Sequence, residues 1–315
     1  MIANEWIVDR VVLDDRIQAG ARVAAVDGRI VAIDRSAAGA TAPRLHGTLL
    51  PGFVDLQVNG AGGRSVDEAT DDALETVARA VFDGGAVAFL PTLITAPWPR
   101  LLEQVGAVAR WIDHREPRPG HAEPLGLHVE GPFLTTAGAH DAAQFVDPTP
   151  ERIDALLAAA AGRLRLVTLS PVRTGAAAAV AQLTAANVTC AIGHGTIQDA
   201  AGAAAFAAVV AAGATAVTHL FNAMGALHHR DPNVAALALD DERVSCPLIV
   251  DGVHVQPALV RHAFRILGPD RTVLVTDAVA AAGMPDGEYR LGRHTVTKCL
   301  GGVRLSDGTL AGSTL

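Results

Sequence analysis

The chain has 315 residues, half of them apolar and 18% charged, with a formal net charge of −8. That length suits one barrel of about 250 residues with a modest appendage, and the apolar fraction excludes a disordered or fibrous chain. The acidic balance argues against a nucleic-acid-binding or polyanionic-membrane surface, since both need clustered Lys and Arg. An anionic ligand would therefore be met by local positive charge. Cys190, Cys246 and Cys299 are odd in number and widely spaced, which fits neither a disulfide framework nor a zinc ribbon and predicts a reduced, cytoplasmic setting. Glu5, Asp9 and Arg10 interrupt the first ten residues, where a signal peptide would place an apolar core.

Residues 1 to 48 read as short strands and turns, a small β-domain. The Asp27-Gly28 pair between Arg22-Val-Ala-Ala-Val26 and Arg29-Ile-Val-Ala-Ile33 is a hairpin signal. From residue 49 the pattern changes to apolar runs separated by helix-compatible stretches, as a parallel sheet with crossovers requires. Eight runs can be counted: 50–58, 86–93, 125–130, 164–170, 188–193, 214–220, 246–250 and 272–277. Between them, stretches such as 71–82, 99–112, 150–160 and 257–267 suit helices, while 231–239 is short. Residues 200–217 read as an Ala-rich helix, a break at Gly213 and a buried strand, not a membrane span. The economical fold is an α/β (β/α)8 TIM-like barrel over residues 49–315. After Asp277 only strand-and-turn patterns follow, so this reading expects the eighth helix and C-terminal β strands to be missing.

In such barrels the active site is built where strands end at their C-terminal face. Polar residues close or follow six of the runs: Gln57 and Asn59, Glu130, His194, His219, His254 and Asp277. One Glu and two His on separate strands can converge on one divalent metal and leave positions open for water, as in catalytic zinc sites. Glu130 ends a buried run and needs a metal or a counter-charge there, the simplest alternative being an ion pair with an Arg. His128, inside the same strand, reads as a core or supporting histidine. Gly60-Ala-Gly-Gly63 lacks a following Gly-Lys-Ser/Thr and reads as a flexible βα loop. His228-His229-Arg230 is the densest cationic cluster near a strand end, and the amides of Asn222-Ala223 lie just beyond run six; both suit a phosphate.

These residues lie in an ordered series: Pro51-Gly-Phe-Val-Asp55, His128-Val-Glu-Gly-Pro132, Gly193-His-Gly195, Thr218-His-Leu-Phe-Asn-Ala-Met224, Asp251-Gly-Val-His254, Val275-Thr-Asp277 and Ala311-Gly-Ser-Thr-Leu315. The series resembles the amidohydrolase superfamily and, within it, the N-acetylglucosamine-6-phosphate deacetylases. That resemblance implies metal-dependent hydrolysis of an acetamide on an amino-sugar phosphate in amino-sugar catabolism. It implies Glu130, His194 and His219 as metal ligands, Asp277 as catalytic acid/base, and His254 as a hydrogen-bond donor to the carbonyl oxygen. It further implies that Ala139, His140, Asn222, Ala223, Leu310, Ala311 and Gly312 line the substrate pocket, and that Arg230 reaches the neighbouring site of a homodimer. Where the family commonly has two first-strand histidines, this chain has Gln57 and Asn59. Amides are poor ligands beside imidazole, so one divalent ion per subunit is expected, zinc first and iron or manganese otherwise. The alternatives are a galactosamine 6-phosphate deacetylase, a cyclic-amide hydrolase, or an inactive truncated sugar-phosphate-binding remnant.

Overall fold

The computed structural model describes residues 3–35 and 42–315. It divides into two compact units, Met1–Phe53 and Val54–Leu315. In the first, β1 (Ala3–Val12), β2 (Ile17–Val26), β3 (Arg29–Arg35) and β4 (Arg44–Leu49) form one sheet in the order β3-β2-β1-β4. Asp27 and Gly28 both take positive φ, 48° and 77°, as the twist of a two-residue hairpin requires. Val8, Val11, Ala21 and Val23 form its apolar centre.

The second unit alternates strands and helices. It runs through β5 (Phe53–Val58), a short ladder of β6 (Gly60–Ala61) with β7 (Arg64–Ser65), α1 (Asp71–Asp83), β8 (Ala86–Ile94), α2 (Trp98–His114), β9 (Glu123–Pro124) and β10 (Leu127–Glu130). It continues through α3 (Pro150–Ala160), β11 (Leu164–Leu169), α4 (Ala176–Ala185), β12 (Thr189–Ile192), α5 (Ala200–Ala211), β13 (Ala216–Val217), α6 (Val234–Asp240), β14 (Cys246–Ile249), α7 (Pro257–Arg271) and β15 (Thr272–Val275). Helix starts are written in the sequence: Thr70, Thr149, Asp199 and Asn233 accept from first-turn amides and cap α1, α3, α5 and α6. α7 is regular only up to Gly268, which takes φ +67° immediately before Pro269.

β5, β8, β10, β11, β12 and β13 are neighbours in one sheet, and β14 and β15 form another. Bridges Ala216–Ser245 and Val58–Ala278 join the two sheets at both seams, so eight strands close into the (β/α)8 barrel. Side chains then stack in layers along the strands, because residues two apart share a face. Leu90, Leu166 and Ala191 form an apolar layer packed with Ala216. Two residues further along, Thr92, His128, Thr168 and Thr218 form a hydrogen-bonded polar belt, with His128 Nδ1 3.3 Å from Thr92 Oγ1 and Nε2 2.9 Å from Thr168 Oγ1. His128 is thus a supporting core residue, and burial lowers its pKa to about 4. Glu130 lies one layer above it.

The Gly60–Gly63 segment is an ordered hairpin and not a flexible loop: Gly62 and Gly63 donate to the carbonyls of Ala282 and Ala280. After β15 the chain forms an antiparallel sheet of β16 (Gly287–Leu291), β17 (His294–Cys299) and β18 (Gly302–Arg304). Its apolar side packs with Ile94 and Val279 at the barrel's C-terminal end. No helix of the described residues is long and apolar enough to cross a membrane.

Candidate active site

Three side chains meet above the polar belt. Glu130 Oε1 lies 3.0 Å from His219 Nε2 and 3.2 Å from His194 Nε2, and the two imidazole nitrogens are 3.1 Å apart. Among the described residues this is the group of His, Cys, Asp or Glu donors placed to hold a metal ion. Among the described residues no Arg pairs with Glu130. His194 Nδ1 lies 2.9 Å from the carbonyl of Thr136, which fixes the proton on Nδ1 and leaves Nε2 as a lone pair. A carboxylate oxygen and an imidazole lone pair converging in a buried site repel one another unless a cation or a proton lies between them, and three such donors on separate strands suit a metal ion. Donors bound to a tetrahedral zinc-sized ion at about 2.0–2.1 Å lie about 3.3 Å apart, close to the spacing found here. The residues fit a divalent metal.

Electrostatics agree with that reading. Burial pushes the Glu130 carboxyl up, but the surrounding His140, His194 and His219 outweigh it and hold Glu130 well below the usual carboxylate range. Burial, reinforced by repulsion from His140, lowers His194 to about 4, so its ring is neutral at physiological pH. His219 moves the other way: burial opposes its charge, yet Glu130 and Asp277 raise it.

Asp277 closes the last strand beside this cluster. Its Oδ1 accepts from Asn59 Nδ2 at 2.6 Å and from Gln57 Nε2 at 3.1 Å, and Gln57 Nε2 also donates to Glu130 Oε2 at 3.0 Å. The two amides therefore present hydrogens, not oxygens, to the carboxylates. Burial and the Glu130 charge raise Asp277 to about 7. His194, His219 and Asp277 all adopt positive φ, 47°, 32° and 51°, a conformation that non-glycine residues hold only where surrounding structure enforces it. The cluster opens into a cavity of about 230 Å³ lined by residues that include Gly138, Ala139, His140, Asn222, Ala223, His254, Leu310 and Gly312.

Known proteins resemble this chain in sequence and in fold. The chain is 37% identical over 269 residues to the N-acetylglucosamine-6-phosphate deacetylase of Vibrio furnissii, covering 85% of this chain and 65% of that protein. It is 37% identical over 292 residues to the N-acetylgalactosamine-6-phosphate deacetylase of Escherichia coli O157:H7, covering 92% and 75%. A mutant N-acetyl-D-glucosamine-6-phosphate deacetylase of Mycobacterium smegmatis, solved in complex with N-acetyl-D-glucosamine-6-phosphate, superposes with TM-score 0.91 at 38% identity over 99% of this chain and 81% of that one. No protein-family model matches the chain. The chain belongs to the N-acetylglucosamine-6-phosphate deacetylase family. It spans 65% to 75% of the length of these two curated relatives.

Against the site residues expected of that family, the structure brings most together and separates a few. His140 stands nearer the metal cluster than a pocket-lining residue need: its Nε2 is 3.6 Å from Glu130 Oε2 while Nδ1 is 2.8 Å from Thr95 Oγ1. His254 lines the cavity with Nδ1 2.7 Å from Asp251 Oδ2, so the neutral ring presents an accepting Nε2 and donates there only when doubly protonated. The Asn222 amide is already committed to the carbonyl of His219, which leaves only Ala223 of the two amides for a ligand. Ala311 does not line the cavity; its side chain is fully buried in the cluster with Val279, Leu291 and Val296, and Leu310 and Gly312 on either side face the cavity. Arg230 lies on an exposed loop outside its own chain's cavity, where His228, not Arg230, pairs with Asp231 at 2.8 Å. Asp251, Thr95 and Thr136 were missed as site residues. The three-residue spacing of Asp251 and His254 signals the first, but a carbonyl such as that of Thr136 leaves no trace in residue identity.

Proposed function

We propose that this chain is the catalytic part of a metal-dependent N-acetylglucosamine-6-phosphate deacetylase, releasing acetate and D-glucosamine 6-phosphate. The observation that carries this reading is the Glu130, His194 and His219 donor cluster with Asp277 beside it. A divalent ion held by those three residues would supply Lewis acidity and would bring the pKa of a water molecule toward about 7. Asp277, with Oδ1 occupied by the two amides, has Oδ2 free to take the proton of the attacking water. The water oxygen bonds to the acetamide carbon, the C–N bond breaks, and Asp277 returns its proton to the leaving nitrogen. His140 beside Glu130 and His254 backed by Asp251 are the two side chains placed to meet the carbonyl oxygen or the sugar.

Zinc, or iron or manganese in its place, fits the mixed His and carboxylate donors, and one ion per subunit fits the donating amides of Gln57 and Asn59. The phosphate would be met by the Ala223 amide and by Arg230 of a second subunit in a cytoplasmic homodimer; the exposed position of Arg230, outside its own cavity, favours an intermolecular role. Residues 1–48 form the small β-domain of this enzyme and residues 49–315 its barrel. The 37% identity to a galactosamine-type relative supports a second reading in which the C4 epimer is the substrate. Metal analysis paired with acetate release from N-acetylglucosamine 6-phosphate and its galactosamine epimer tests both. Asp277→Asn should retain the metal and lose turnover; undiminished acetate release by that variant would overturn the assignment.

A further inference from the structure

Just beyond β14 the chain turns so that Asp251 folds back onto its own successors. Asp251 Oδ1 accepts from the amides of Val253 and His254, each at 2.8 Å, while Oδ2 lies 2.7 Å from His254 Nδ1. Gly252 takes φ +75° between them, which a side chain would resist. Both side chains are nearly enclosed, that of His254 at 5% and that of Asp251 at 7% exposure. His254 lines the cavity beside the metal cluster and Asp251 does not, so Asp251 can reach a ligand only through His254.

In each of these contacts Asp251 is the acceptor. Burial pushes its carboxyl up, but the hydrogen bonds from the His254 amide, the His254 ring and the Val253 amide outweigh burial and hold it below the usual aspartate range. An ionised carboxylate has no hydrogen to give, so the short contact to His254 needs its proton on Nδ1. Nε2 is then the nitrogen left to face the cavity, as a lone pair. His140, in the same cavity, is set the opposite way: the Thr95 amide donates to its Nδ1 at 3.4 Å, which places the ring proton on Nε2. Residues outside the cavity thus decide which histidine offers a donor and which an acceptor.

On the deacetylase reading, we propose that Asp251 is a positioning residue that acts through His254, fixing the ring and keeping its proton on Nδ1 so that the substrate meets an accepting nitrogen. Asp251→Asn tests this, because the Val253 and His254 amides retain an oxygen at the Oδ1 position. The amide nitrogen must then replace Oδ2, donate to His254 Nδ1 and move the ring proton to Nε2. Nitrogen-15 spectra of the histidine-labelled full chain at about pH 8.5, with His254 assigned by its loss in His254→Phe, should show the proton on Nδ1 in the parent and on Nε2 in Asp251→Asn. The kcat/KM for acetate release should fall about tenfold or more in Asp251→Asn, and the double variant with His254→Phe should be no slower than His254→Phe alone. A proton on Nε2 in the parent, the same tautomer in both proteins, or losses that multiply in the double variant would overturn the proposal. The spectra need no turnover, so a parent that releases no acetate would remove the deacetylase reading while the tautomer still decides what Asp251 does to His254. The parent spectrum decides it equally if Asp251→Asn does not fold.

Discussion

Gln57 and Asp277 stand 220 positions apart in the chain, yet the Gln57 amide nitrogen lies 3.1 Å from Asp277 Oδ1, where the first and last barrel strands meet. An amide donor suits a carboxylate that must stay buried, but it does not cancel the burial. In the metal-free protein Asp277 titrates at about 7, against an ordinary aspartate value of about 3.9. A carboxyl raised on folding costs stability once the pH exceeds the unfolded value, and the cost grows until the pH passes the folded one. Asp277→Asn keeps an oxygen acceptor without the charge. With EDTA present it should therefore unfold at higher urea than the parent at pH 8, by on the order of a few kcal/mol, and the difference should vanish at pH 4. A constant difference across that range would contradict the raised carboxyl.

The sequence made the barrel legible because parallel strands buried on both faces read as apolar runs, and each of the eight runs contains an observed strand. Glu130, His194, His219 and Asp277 were legible for the same reason, since an ionisable group closing a buried run needs an explanation. What escaped depends on main-chain geometry. The Asn222 amide looks available until the turn back to His219 is seen, and Ala311 resembles its pocket-lining neighbours until alternation along the chain turns its side chain into the core. The glycines at 60–63 were read as freedom, but their amides are tied to the segment after β15.

The seam of the barrel supplies a stability prediction. Asp55 is buried and accepts from Thr276 Oγ1 at 2.6 Å, from the Thr276 amide at 3.2 Å and from the Gln57 amide at 3.2 Å. Burial nevertheless raises its pKa. Thr276→Val removes one donor to the carboxylate and the acceptor of the Ala278 amide, so it should cost about 1–3 kcal/mol in denaturant unfolding. Asp55→Ala takes the carboxylate away from the Thr276 hydroxyl and from the Gln57 and Thr276 amides at once and should cost more. Equal stabilities for these variants and the parent would show that the seam is held by its backbone bridge alone.

The cysteines give a test that needs no activity. Burial pushes the Cys190 thiol up to about 12 and Cys246 to about 11, so both are protonated at pH 8 as well as shielded, whereas Cys299 is exposed. Only the thiolate reacts. An Ellman titration at pH 8 should find one thiol per native chain and three after denaturation. Rapid reaction of a second thiol in the native protein would show that the barrel opens locally around β12 or β14.

Gly138 separates support of the metal cluster from the fold around it. It takes φ +55°, and a Cβ added there would lie 3.1 Å from His194 Cε1 and 3.6 Å from Nδ1, the nitrogen held by Thr136. The backbone conformation disfavours alanine, and the contact forces either the loop or the imidazole to move. The loop is tied to the segment after β12 by the amides of Thr135 and Thr136, which both donate to the carbonyl of His194. Relief therefore falls in part on the ring, whose displacement moves Nε2 relative to Glu130. Gly138→Ala should bind metal about tenfold or more weakly, the loss typical when a ligand's outer support is disturbed. Its metal-free unfolding midpoint should fall by much less than that affinity loss implies. Unaltered metal affinity with a large loss of metal-free stability would instead assign Gly138 to the fold and not to the site.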